Sequence, residues 1–239
     1  MRRLIVFVLT FCLLLNCTAC NLNLPNTEKQ TIPNETSAFS IQTIVDKETY
    51  PASSIAYPQL HSNSLNFIAT NLLIKETLMC ILDKVFADSN ENSSVVLEYS
   101  ASFENEKYFC VLFEGAVLNK NAAHPTNLGF PICISLLENR ILDPTSLFAL
   151  DDNFIAAFRE ELLNNQSTTR FDDEQWKNVE TYIGSFSNNE ILEIISANPA
   201  KTFSLQNNGV IVLFPVPHTL GDYVKIFVKD RGRFSVLTN

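Results

Sequence analysis

Basic residues are scarce in this chain. Seventeen Lys and Arg stand against 26 Asp and Glu, for a net charge of −9. A surface of that sign repels phosphate backbones, so DNA and RNA have no electrostatic footprint here. Glycine is scarcer still, six in 239 residues, and neither GxGxxG nor GxxxxGK[ST] occurs. Nucleotide binding through a glycine-rich loop is therefore not expected. The three histidines, His61, His124 and His218, lie far apart and form no HExxH pattern. No local metal motif exists, and neither a metal nor a cofactor is expected. A nucleophile elbow of the GxSxG type is also missing, since Gly184-Ser185-Phe186-Ser187 departs from it.

What is present is a globular composition, 46% hydrophobic and 18% charged, behind an unusual first segment. Arg2 and Arg3 precede a run from Leu4 to Leu15 that is apolar except for Thr10. Such a run is shorter than the roughly 20 residues a bilayer-spanning helix needs, and with its basic flank it has the form of a secretory leader. Cys17-Thr18-Ala19-Cys20 follows and resembles a bacterial lipobox, with Cys17 where that motif usually carries Leu. The resemblance implies lipidation of Cys20 and cleavage before it, which makes residues 1–19 a lipoprotein signal peptide. A cut elsewhere, or an uncleaved anchor with an inert Cys20, are the alternatives. A lipidated Cys20 would hold the chain by a membrane anchor on the outer face of the bacterial cytoplasmic membrane. Removing Arg2 and Arg3 with the leader makes the remainder more acidic still.

Residues 20–38 are rich in Asn, Thr, Pro and Glu without hydrophobic period, and read as a flexible tether. A first α+β subdomain is expected over 39–137. Phe39, Ile41, Thr43 and Val45 alternate as a half-buried strand, and Ile55-Ala56-Tyr57-Pro58 suggests a short extended piece whose proline favours an edge or strand end. Ser64 is placed to cap a helix to about Phe86, with Ile68, Leu72, Met79, Leu82 and Phe86 as its inner stripe. Val95, Leu97, Tyr99, Ala101 and Phe103 alternate as a strand. A turn at 104–107 leads into Tyr108–Leu118, apolar on both faces, and a further strand runs from Pro131 to Leu137. The expected class is α+β, an antiparallel sheet with a covering helix followed by a second helix-plus-hairpin subdomain over 138–239. There, Asp151 or Asp152, Asp172 with Gln175 and Ser187 with Glu190 mark helix starts. Asn207-Asn208-Gly209 marks a hairpin, and Val224–Val228 a last strand.

Cys80, Cys110 and Cys133 sit in apolar contexts and read as small core residues; a bridge between Cys110 and Cys133 stays open.

Several stretches together resemble a family of paired extracytoplasmic domains of unknown function. They are Tyr57-Pro58-Gln59-Leu60, the strand pair Val95–Leu118, Ala122-Ala123-His124-Pro125, Leu142–Phe148 and Phe203–Val210. The same domains occur in the lysozyme-sensing region of the sigma-V anti-sigma factor and ahead of some peptidoglycan deacetylases. This chain is similar to a lipoprotein member without the cytoplasmic segment or the deacetylase domain. In the Ala122–Pro125 stretch both glycines usual in the family are missing. The resemblance implies an α+β fold and a role in binding or sensing rather than catalysis.

The expected function is accordingly a lipid-anchored binding or sensing domain at the cell envelope, non-catalytic, with lysozyme or cell-wall glycan as the candidate partner. The net negative charge favours encounter with a cationic protein. The loops around Asn119–Asn127 and Pro215–Asp222 are the expected recognition surface, with Asn121, His124, Thr126, His218 and Asp222 as candidate binding residues. An envelope hydrolase or an envelope scaffold are the alternatives. Phe171-Asp172-Asp173 resembles a deacetylase metal motif only superficially, because no histidine pair accompanies it and aspartates at a helix start already serve the free N–H groups.

Overall fold

Among the described residues, six strands build one sheet, in the order β1 to β6, and three build a second, β7 to β9. The computed structural model describes residues 39–50, 52–87, 93–120, 122–164 and 171–231. The leader, Cys20, the tether and Asn121 lie outside the described residues. The described residues all fall within one compact unit, Thr36–Asn239.

The first sheet comprises β1 (Ser40–Asp46), β2 (Ser54–His61), β3 (Ser93–Glu104), β4 (Tyr108–Asn119), β5 (Thr126–Ser135) and β6 (Arg140–Ile141). All neighbours are antiparallel except β2 and β3, which meet in parallel over only two residue pairs, Ser54–Val96 and Ile55–Leu97. The sheet thus extends past residue 137 through β6, and β5 starts five residues ahead of the expected Pro131. Helix α1 (Ile68–Ala87) covers one face. Between them lies a core of Ile55, Tyr57, Leu60, Ile74, Leu78, Leu82, Val95, Leu97, Phe109, Val111, Phe113 and Ile134. Phe39 and Ile41 turn inward as the alternation predicts; Val45, however, is exposed and Ile44 packs inward in its place.

Strand β4 is the centre. Phe109, Val111 and Phe113 face α1, while Cys110 and Leu112 face the second sheet, so the strand is buried on both sides as its apolar run predicts. Gly115 is required there, because a Cβ at that position would sit 1.9 Å from the Val96 carbonyl oxygen. The expected strict alternation of β3 breaks at its end. Ala101 pairs with Val111, but Phe103 pairs with Cys110, so the register shifts at a bulge. Phe103 is thereby moved into the second core, and Ser102 reaches Ser204 of β7 at 2.6 Å.

The second sheet consists of β7 (Phe203–Gln206), β8 (Gly209–Pro215) and β9 (Tyr223–Lys229), all antiparallel. Its hairpin turns at Asn207-Asn208, where Asn208 takes φ 66°. Gly209 serves a close approach, since its Cβ would meet the Val228 carbonyl oxygen at 2.4 Å. Val210, Val212, Phe214, Ile226 and Val228 pack on helices α2 (Asp152–Asn164), α3 (Asp173–Gly184) and α4 (Asn188–Ser196). Ile211, Leu213 and Tyr223 face Leu112 of β4. The layers therefore run helix, six-stranded sheet, three-stranded sheet, helices, which is an α+β fold with a covering helix and a second helix-plus-hairpin part. Short helix α5 (Pro199–Thr202) leads into β7.

The C-terminal helices form where their caps predict. Asp172 and Gln175, then Ser187 and Glu190, complete capping boxes, and Asp151 accepts from the Phe154 N–H at 3.0 Å. The Ser187 backbone N–H beside Glu190 holds that carboxyl below the usual carboxylate range. Phe154, Ile155, Phe158 and Leu162 form the buried face of α2, and Trp176, Val179, Ile183, Ile191 and Ile195 those of α3 and α4.

Helix α1 differs from its expected form. It begins at Ile68, whose N–H is accepted by Asn66 Oδ1 at 3.0 Å, not at a Ser64 cap. Its buried residues are Thr70, Ile74, Leu78 and Leu82; of the expected stripe only Leu82 is fully inside, while Ile68 is 75% and Leu72 53% exposed. Apolar residues occur all round this helix, so periodicity alone does not choose a face, and the sheet chooses it instead. Cys80 points outward as well, contrary to its expected place in the core.

Asn71, a weak helix former, has a specific task. Its side chain accepts from the Leu60 N–H at 2.8 Å and donates to the Leu60 carbonyl at 2.9 Å. It thus stands in for a neighbouring strand where β2 has parted from β3. Leu60 therefore turns its backbone groups away from β1, and Pro58, two residues earlier, does the same. The N–H that proline lacks would have faced this open side, which explains a proline inside an interior strand.

Candidate functional site

Pro215 ends β8, and Pro217 opens a single 3-10 turn over His218–Leu220. Gly221 and Asp222 then take φ values of 94° and 70° before β9 starts. The Val216 N–H donates to the Asp222 carbonyl at 3.0 Å and closes the loop at its base. A left-handed aspartate is strained by a modest amount and persists where its surroundings hold it. Here they do. Asp222 Oδ2 accepts from the Asn127 N–H at 2.7 Å and from Asn127 Nδ2 at 3.2 Å, and Oδ1 lies 2.9 Å from His218 Nδ1. Asn127 Nδ2 also reaches the Gly221 carbonyl at 3.4 Å.

One carboxylate thus ties the start of β5 to the β8–β9 loop. The two segments singled out in the sequence, far apart along the chain, meet where Asn127 bonds Asp222. His124 and His218 are both exposed on them, and Thr126 is half-buried where it pairs with Val117. Among the described residues, no three His, Cys, Asp or Glu side chains gather as a metal-holding group.

Beneath the loops the two sheets are joined by Glu114 of β4. It accepts from the Tyr223 hydroxyl at 3.1 Å and from Lys225 Nζ at 2.7 Å, both on β9. Gly129 allows this contact, because a Cβ there would come within 2.3 Å of the Tyr223 ring. Neither Asn127 nor Glu114 was legible as a site residue, since each owes its role to a partner about a hundred positions away.

A second feature escaped sequence reasoning altogether. A cleft of about 640 Å³ opens where β2 meets α1, lined among others by His61, Asn66, Ile68, Asn71, Leu72 and Lys75. A smaller one of about 410 Å³, lined by Phe39, Leu65, Phe67, Thr70, Glu106 and Leu137, shares Leu65, Asn66 and Phe67 with it. Leu65, Ile68, Leu72 and Leu137 give this region much of the exposed apolar surface. The signal in sequence was the surplus of apolar residues on α1.

No family model matches the chain, and no curated protein matches it. Among solved structures, a member of the DUF3298 family from Bacteroides fragilis NCTC 9343 is similar at 13% identity and a TM-score of 0.47, over 81% of this chain and 91% of that one. A DUF3298 family protein from Pseudomonas aeruginosa PAO1 is similar at 9% identity and a TM-score of 0.41, over 80% and 90% of the two chains. The structural neighbours are thus members of a family of domains of unknown function.

Proposed function

We propose that this chain is a lipid-anchored extracytoplasmic binding domain of the bacterial envelope, non-catalytic, which recognises lysozyme or cell-wall glycan through the paired loops. The observation that carries the reading is the Asn127–Asp222 junction, which ties the start of β5, three residues after the exposed His124, to the loop that carries the exposed His218. Loops held on a rigid two-sheet scaffold are the usual carriers of recognition. The excess of 26 acidic over 17 basic residues favours a cationic ligand and makes encounter salt-dependent. The membrane anchor is the lipidated Cys20, which the lipobox-like sequence implies.

The test is a titration of the purified chain with lysozyme and with soluble wall fragments, at low and at physiological salt. Saturable binding of either that persists at physiological salt and weakens at least about tenfold in Asp222→Ala supports the reading. Binding that vanishes with salt, or that ignores Asp222, His124 and His218, overturns it.

A hydrolase is the second reading, and one contact favours it: His218 Nδ1 on Asp222 is the arrangement that orients an imidazole as a general base. Wall-cleaving activity that disappears in a folded His218→Ala variant would establish the enzyme in place of the binding domain.

A further inference from the structure

Cys110 and Cys133 are direct partners across β4 and β5, and both are buried. The hydrogen-bonding pattern fixes what kind of pair they are. The Leu142 N–H donates to the Cys133 carbonyl at 2.8 Å, so the backbone groups of Cys133 point toward β6 and away from β4. At the end of the same ladder the Leu136 N–H donates to the Lys107 carbonyl at 2.8 Å. Counting from there, bonded pairs alternate with non-bonded ones, and Cys110–Cys133 again falls on a non-bonded position. On the other side, the Cys110 carbonyl accepts from Ser102 Oγ at 3.2 Å, so it faces β3. Three independent contacts agree.

Non-hydrogen-bonded pairs bring their Cα atoms to about 4.5 Å and their side chains closest together. That lies within the Cα span of about 4.4–6.8 Å over which a disulfide forms without moving the backbone. Both thiols point to the same face, into the core shared by Phe103, Phe203 and Leu205. The Cys133 thiol donates to the Phe203 carbonyl oxygen at 3.9 Å, and its proximity adds to the burial that raises the Cys110 thiol.

We infer that Cys110 and Cys133 form a cross-strand disulfide when the chain folds in the presence of a thiol-disulfide oxidant, stapling the two strands that carry the His124 loop. The inference rests on strand register alone and stands whether or not the lipobox reading holds. In the exchange, one cysteine thiolate attacks oxidised glutathione and releases one reduced glutathione. The other thiolate then displaces the second. The S–S bond forms, two electrons pass to the glutathione disulfide, and the two thiol protons are lost to the medium or to the leaving thiolates. Burial pushes the Cys110 thiol well above its ordinary range, so the folded reduced pair exchanges slowly and the bond forms during folding. Cys80 is exposed and has no such partner strand.

The experiment refolds the full chain, in mild detergent, in glutathione buffers of oxidising and reducing composition. Free thiols are then alkylated and the peptides mapped. The expected result is a Cys110–Cys133 linked peptide in the oxidised sample, with Tm higher by roughly 5–12 °C than the reduced form. The gain should be absent in Cys110→Ala. Natively folded protein with both thiols alkylated after oxidative refolding overturns the inference, and so does a link that runs from either residue to Cys80.

Discussion

Helix α1 and helices α3 and α4 are built by opposite logics. Each of the latter two opens on a reciprocal capping box and presents one apolar stripe, Trp176–Val179–Ile183 in one and Ile191–Ile195 in the other. Start and inner face are therefore written locally. Helix α1 has no acidic residue in its first turn and carries apolar residues all round; Thr70, Ile74, Leu78 and Leu82 are inside only because the sheet selects them. Local specification leaves little apolar surface over. Tertiary selection leaves a remainder, and that remainder, Ile68 and Leu72, lines the larger cleft.

The sharpest way to break this contrast is truncation along α1. Leu78→Ala and Leu82→Ala remove fully buried side chains and should each destabilise by about 2–5 kcal/mol. Ile68→Ala and Leu72→Ala, though chemically similar, should stay within about 0.5 kcal/mol. Denaturant unfolding of the four variants reads the difference. Equal losses at Ile68 and Leu78 would mean that the helix is rotated from the face described.

Asn71 and Ser187 sharpen the contrast at the level of single polar groups. Asn71→Ala strips both backbone partners from Leu60, a residue only 1% exposed, and should cost about 1–3 kcal/mol. Ser187→Ala removes one partner at a solvated helix start and should cost about 0.5–2 kcal/mol. A helix-propensity account predicts the reverse sign at Asn71, since alanine is the better helix former. A stabilised Asn71→Ala protein would show that the side chain is not a substitute strand.

The same distinction explains what was legible. Capping boxes, the Asn207-Asn208 turn and the two-faced run of β4 are local patterns, and each was readable. The β3 bulge was not, because Phe103 alternates perfectly in sequence and changes face only when Cys110 becomes its partner. Nor was the inner face of α1. In the candidate site, His218 and Asp222 were readable as candidates on one loop, and that loop and the His124 loop as recognition segments. Asn127 and Glu114 were hidden, since an asparagine and a glutamate at strand positions look like solvated faces until β9 is laid against β4. Topology, not composition, makes them meaningful.

The smallest effect concerns the far end of α1, where the helix is tied by one residue outside it. The Tyr50 hydroxyl donates to Asp83, and the Tyr50 ring stacks on Phe86 with centroids 4.5 Å apart. Burial first, and the bond to the Asp83 carboxylate second, push the Tyr50 hydroxyl up to about 12. A neutral acid whose folded pKa is raised binds its proton more firmly in the folded state. Its contribution is therefore complete below pH about 10, where the unfolded chain titrates, and is lost as pH rises from there through about 12. Tyr50→Phe keeps the stacking and removes the titration. Wild-type protein should lose thermal stability more steeply than Tyr50→Phe between pH 10 and 12, by a small margin because the hydroxyl remains partly solvated. Parallel curves would place the Tyr50–Asp83 bond outside the set of contacts that hold α1, leaving the face chosen by the sheet as its main constraint.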